Sequence, residues 1–127
     1  MDEKELNVVE IVNHNITAFA CELGYSYLNA GYSKWENGRG EVINLDSMDE
    51  VYLQNCVSFI EKGIEELEAE FVDNEIKKHV IQFSKDYDDD NVLKGKHLKA
   101  TESIVENVRE SIIKILQEKK EELETYL

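Results

Sequence analysis

Apolar side chains recur at helical spacing in four stretches of this sequence, with polar or glycine-containing breaks between them. In the first, Val8, Val9, Val12, Ile16, Phe19, Ala20, Leu23 and Tyr27 fall three or four apart and line one face. The spacing predicts a helix from about Glu3 to Ala30, with Gly31 as a left-handed stop. Gly24 and the run Tyr25–Ser26–Tyr27 form helix poorly and mark where this one is weakest. The second stretch opens with Ser47, and Glu50 three residues on gives a capping-box spacing. Its stripe is Val51, Leu53, Cys56, Val57, Ile60, Ile64, Leu67 and Phe71. Asp73–Asn74 ends or bends it, and Ile76, Val80 and Phe83 continue in a third piece to about Lys85. After the polar break SKDYDDDN, a fourth helix is expected from about Lys96 to Leu127. It carries Leu98, Val105, Val108, Ile112, Ile115, Leu116, Leu123 and Leu127. Beyond Leu116 the apolar pattern thins among charges, which reads as a tail that projects or pairs with a second copy of the chain.

The segment YSKWENGRGEVINL has a different rhythm. Asn37–Gly38 stands between the short runs Ser33–Glu36 and Glu41–Leu45, and Asn-Gly supplies the positive φ angles of a type I′ turn. The prediction is a β-hairpin. A lone hairpin is marginal in water, so it must lean on the helices through Trp35, Val42, Ile43 and Leu45. The expected fold is mainly α: three or four helices, one small β-hairpin and a long C-terminal helix, in a single domain over residues 1–127. The absence of proline favours long helices, and no internal repeat is visible.

Charge narrows the function more than length does. Asp and Glu total 28 against 14 Lys and Arg, a formal net charge of −14. A phosphate backbone needs clustered cations, so direct nucleic-acid binding is not expected. The anionic residues gather on the polar face of the second helix: Glu61, Glu65, Glu66, Glu68, Glu70, Asp73 and Glu75, opposed there only by Lys62. Lys77, Lys78, Lys85, Lys94, Lys96 and Lys99 form a basic counterpart that could fold back against it. The first residues, MDEKE, have the wrong charge for a leader, and no run approaches the ~18 apolar residues of a membrane span. Cys21 and Cys56 both sit in apolar helical patterns, which suits two reduced thiols and a cytoplasmic setting.

Several residue groups carry partial chemical signatures. Asp86, Asp88, Asp90 and Asn91 resemble the first half of a calcium loop, but the twelfth position is His97 rather than glutamate, and Lys94 and Lys96 lie inside the loop. His79 stands four residues after Glu75, and no third ligand completes a zinc site with His97; His14 is alone. Glu65 and Glu66, with Asp86 and Asp89, have the spacing of all-helical magnesium-dependent nucleotide pyrophosphohydrolases, although the second pair lies in a break. No phosphate-binding, nucleophile-elbow or zinc-protease motif occurs, and no cofactor is expected. Tyr25, Tyr27, Tyr32 and Trp35 cluster around the hairpin, either as packing or as a recognition patch.

The run from Trp35 to Lys62 resembles a pattern in small uncharacterised phage and prophage proteins. It is carried here by Trp35, Gly40, Ile43, Met48, Tyr52, Leu53, Asn55 and Ile60. The resemblance implies an origin in a mobile element and no particular activity. With the charge, it favours a non-enzymatic acidic interaction protein: a phage-type inhibitor or anti-defence accessory protein that binds a basic surface on a host protein, in one version by nucleic-acid mimicry. The expected contact residues are Glu61, Glu65, Glu66, Glu68 and Glu70 with Trp35 and Tyr32, and a homo-oligomer is expected. Two alternatives come from other classes. One is a divalent-metal phosphohydrolase using Glu65, Glu66, Asp86 and Asp89. The other is an oligomeric sponge for a signalling nucleotide, with Arg39, Lys94 and Lys96 as its cations.

Overall fold

The computed structural model describes residues 3–86 and 101–127. The chain runs through α1 (Glu3–His14), α2 (Ile16–Glu22), a 3-10 turn (Ser26–Leu28), β1 (Lys34–Glu36) and β2 (Val42–Asn44). A second 3-10 turn (Leu45–Ser47) leads into α3 (Glu50–Glu68), α4 (Asp73–Asp86) and α5 (Glu102–Glu124). The fold is mainly helical with one antiparallel hairpin and a long last helix.

The single helix expected through Ala30 is instead two helices and a 3-10 turn. Asn15 breaks it: its side-chain amide donates to the Ile11 carbonyl at 3.0 Å and its N–H turns to Val12 at 3.1 Å. Asparagine competes with the helix ladder in this way. α2 then stops where the Tyr25 N–H reaches the Ala20 carbonyl and the Gly24 N–H reaches Cys21, both at 3.1 Å, with Gly24 at φ +118°. That is a Schellman pair, and glycine takes its left-handed position at least cost. The predicted stripe nonetheless faces inward, with Val8, Val9, Val12, Phe19 and Ala20 buried.

The hairpin forms with Lys34, Trp35 and Glu36 opposite Asn44, Ile43 and Val42. Its turn is not the predicted type I′. Asn37 closes a longer loop: its N–H donates to the Glu41 carbonyl at 2.9 Å, and its side-chain oxygen accepts from the Arg39 and Glu41 N–H groups. The positive φ falls on Gly40, at +77°. The Asn37 side chain satisfies loop donors that a two-residue turn would not contain.

The cap of α3 lies two residues beyond the expected Ser47. Asp49 accepts from the Tyr52 N–H at 2.8 Å, while the Ser47 hydroxyl donates to the Asn44 carbonyl at 2.7 Å. Leu53, Cys56, Ile60, Gly63 and Leu67 are buried along α3. Its far end is another Schellman pair, Glu70 N–H to Leu67 and Phe71 N–H to Glu66, with Glu70 itself at φ +63°. Phe71, placed at the end of the apolar stripe by spacing, is 81% exposed because the chain has already turned.

α5 packs chiefly on α3 and also touches α1, α2 and α4. Thr101 caps it by accepting from the Ile104 N–H. Ile104, Val108, Ile112, Leu116 and Leu123 are fully buried, each worth about 1.5–3 kcal/mol of burial. Leu123 lies in the chain's own core, whereas Leu127, the last residue of the stripe, is 55% exposed. α4 packs on α1 and α5, Lys78 pairs with Glu75 of its own helix at 3.5 Å, and Phe83 meets Phe19 edge-on at 5.7 Å. Arg109 ties α5 to the α3–α4 turn, its Nη1 donating to both Asp73 oxygens at 2.9 and 2.8 Å.

Candidate functional site

Two features around α3 stand out, a cleft under the hairpin and the outward acidic face. The cleft begins with aromatic packing. Tyr27 and Trp35 stack with ring centroids 4.5 Å apart and planes 2° from parallel, and Tyr25 meets Tyr27 edge-on. Both tyrosines press on α3 at Gly63, where an added Cβ would stand 3.1 Å from the Tyr25 ring and 3.2 Å from the Tyr27 hydroxyl. This explains a glycine in a helix interior, which otherwise costs about 1 kcal/mol relative to alanine. The rings, the Asn37–Gly38 loop and Glu36 form one wall; Tyr52, Asn55, Cys56 and Phe59 of α3 form the other. The open cleft has a volume of about 390 Å³, within the ordinary range for ligand-sized sites.

Burial sets the protonation of this wall. It pushes the Cys56 thiol up to about 11, against a smaller opposing effect from Lys119. It pushes Tyr25 to about 12 and Tyr27 higher still, with the Glu66 charge adding to both. Cys56 is therefore a thiol rather than a thiolate, and a poor nucleophile. The Tyr27 hydroxyl is buried with no hydrogen-bond partner among the described residues.

Lys119 holds the hairpin's base in place. Its Nζ donates to the Gly31 carbonyl at 2.9 Å, to the Lys34 carbonyl at 2.6 Å and to Glu122 Oε1 at 2.6 Å, with 8% of the side chain exposed. Glu122 Oε2 accepts from the Ser33 N–H at 3.3 Å, at a residue with φ +65°. A lysine at an apolar stripe position, three after Leu116 and four before Leu123, was a visible signal of a buried cation that sequence reasoning passed over.

The expected contact residues divide between these features. Glu61, Glu65 and Glu68 are exposed on one face of α3, with Lys120 reaching Glu61 at 3.6 Å. Glu66 is half-buried beside the tyrosines. Glu70 sits in the turn, 3.7 Å from Arg109. Tyr32 is 85% exposed, but Trp35 is 4% exposed and belongs to the core, so the two do not share a solvent patch. Phe59, 64% exposed on the cleft wall, was not singled out from the sequence because it falls outside the apolar stripe; Asn55, on the same wall, entered only through the local resemblance.

The other candidates are placed as follows. Among the described residues no group of three or more His, Cys, Asp and Glu side chains is set to hold a metal. His79 Nδ1 lies 2.8 Å from the Glu75 carbonyl, which fixes a proton on that nitrogen, and its ring meets Phe19 edge-on. Arg39 is exposed in the hairpin loop. Asp88, Asp89, Asp90, Asn91, Lys94, Lys96 and His97 lie outside the described residues, as does the Asp86 side chain. They are the remainder of the calcium-loop, phosphohydrolase and nucleotide-sponge readings. Cys21 and Cys56 are both free thiols. No described helix is long and apolar enough to cross a membrane. The chain matches no protein-family model, no curated protein and no solved structure.

Proposed function

We propose that this chain is a non-enzymatic interaction protein that docks its acidic α3 face on a basic surface of a partner protein. The observation that carries the reading is the solvent exposure of Glu61, Glu65 and Glu68 along one face of α3, in a chain of net charge −14. Such a surface raises encounter rates with a basic partner and disfavours acidic competitors. The local likeness to phage and prophage proteins makes an inhibitor or anti-defence accessory of a host protein the favoured version, with mimicry of a nucleic acid as one route. Free thiols suit the cytoplasm as its setting.

The test compares the intact protein with a Glu61→Lys, Glu65→Lys, Glu68→Lys variant as baits in lysate, followed by binding curves for each protein retained. A partner captured by the first should bind the variant at least about tenfold more weakly at low salt, where screening is least. Its affinity for the unaltered chain should fall as salt rises. Equal affinities at low salt would overturn the reading.

A further inference from the structure

We propose that the cleft between the hairpin and α3 seats an arginine side chain presented by a basic protein partner. The inference rests on the reading above of an acidic chain with a basic protein partner, and adds a contact on the other side of α3.

Three observations support it. Aromatic residues line the cleft: Tyr52 and the exposed Phe59 from α3, with Tyr27 and its stacked partner Trp35. The charge at the rim is a carboxylate: Glu36 lines the cleft, and Asn29 orients it by donating to Oε1 at 3.2 Å. No lysine or arginine is among the lining residues, so nothing in the cleft neutralises that carboxylate. Aromatic faces with one anionic edge favour a cation that can stack. A guanidinium is planar, weakly hydrated and able to grip a carboxylate with two N–H groups, whereas an ammonium holds its water more tightly. The exposed Asn55 amide supplies a further acceptor at the same opening. A volume of about 390 Å³ exceeds a bare guanidinium and admits the side chain with its flanking backbone.

Helical geometry puts Asn55 and Phe59 on the side of α3 turned away from Glu61 and Glu68, the same side as the half-buried Glu66. The net charge of −14 would draw a basic partner in, and the cleft would then fix one of its side chains. Diffuse attraction alone does not distinguish arginine from lysine; a stacking cleft does.

The experiment titrates the intact protein with two eight-residue peptides, four Arg-Gly repeats and four Lys-Gly repeats. Emission from Trp35, the sole tryptophan and a cleft residue, reports occupancy. The arginine peptide should bind about tenfold tighter than the lysine peptide, the scale of one stacked and paired guanidinium. Phe59→Ala and Glu36→Gln should each bring that ratio to near one. Phe59 is 64% exposed, so its loss leaves the core intact, and circular dichroism checks this. The Glu61→Lys, Glu65→Lys, Glu68→Lys variant should weaken both peptides alike and keep the ratio. Equal affinities for the two peptides, or a ratio that survives Phe59→Ala, would overturn the cleft. If the triple variant still weakens both peptides in that case, the acidic-docking reading stands without the cleft. If the triple variant binds both peptides as the intact protein does, the docking reading itself fails.

Discussion

Replacing Lys119 by methionine would leave the Gly31 and Lys34 carbonyls without their donor and Glu122 without its cation, all at the base of the hairpin. Breaking a buried charge pair from one side costs about 3–5 kcal/mol, more than the methionine regains by packing. The urea midpoint of Lys119→Met should fall accordingly, and an unchanged midpoint would show that the ammonium contributes nothing net. Glu70 presents the opposite case. It occupies a left-handed position at φ +63° where a glycine would fit without strain. Its contact with Arg109 is 3.7 Å long and its side chain is 65% exposed, so the pair contributes little. Glu70→Gly should therefore stabilise the chain by about 0.5–1.5 kcal/mol, read as a raised urea midpoint. A lowered midpoint would mean that the ion pair outweighs the strain.

At the scale of elements, the periodic parts were legible and the punctuation was not. The stripes of α3, α4 and α5 could be read because burial imposes a 3.6-residue period over many residues. Asn15 was missed because its effect depends on one side-chain bond to Ile11, which a hydrophobic pattern cannot register. The α3 cap was placed at Ser47 because Ser47 and Asp49 both suit a cap, and only the 3-10 turn through Leu45–Ser47 decides between them. The hairpin was foreseen from Asn37–Gly38, yet the turn type was wrong because Gly40 takes the positive φ. The site was legible in its charges and only partly in its rings. Exposed glutamates follow from the polar face of a helix, whereas the gathering of Tyr27, Trp35, Tyr52 and Phe59 around one cleft depends on tertiary packing.

For the whole molecule, the buried acids set a limit on the alkaline side. Cys56 at about 11 and Tyr25 at about 12 both lie above their ordinary values of 9.0 and 10.0. Each stays protonated in the folded chain at a pH where the unfolded chain has released the proton. Their contribution is whole below about pH 9 and is lost as pH rises toward about 12. Urea midpoints should be level between about pH 7 and 8.5 and lower by pH 10.5, with Cys56→Ala showing a shallower decline. A midpoint that holds through pH 10.5 would contradict the burial of these groups.

The bonds from Lys119 to Gly31 and Lys34 join positions 88 and 85 residues apart. A ribosome makes the chain from its N-terminus, so the hairpin strands emerge well before the turn of α5 that anchors them. Until then the Gly31 and Lys34 carbonyls at the hairpin's base lack their donor, and a two-stranded ribbon alone is marginal. Chains cut short before Lys119 would therefore carry an unpinned hairpin that finished chains hold fast, a difference that limited proteolysis of the two forms would reveal.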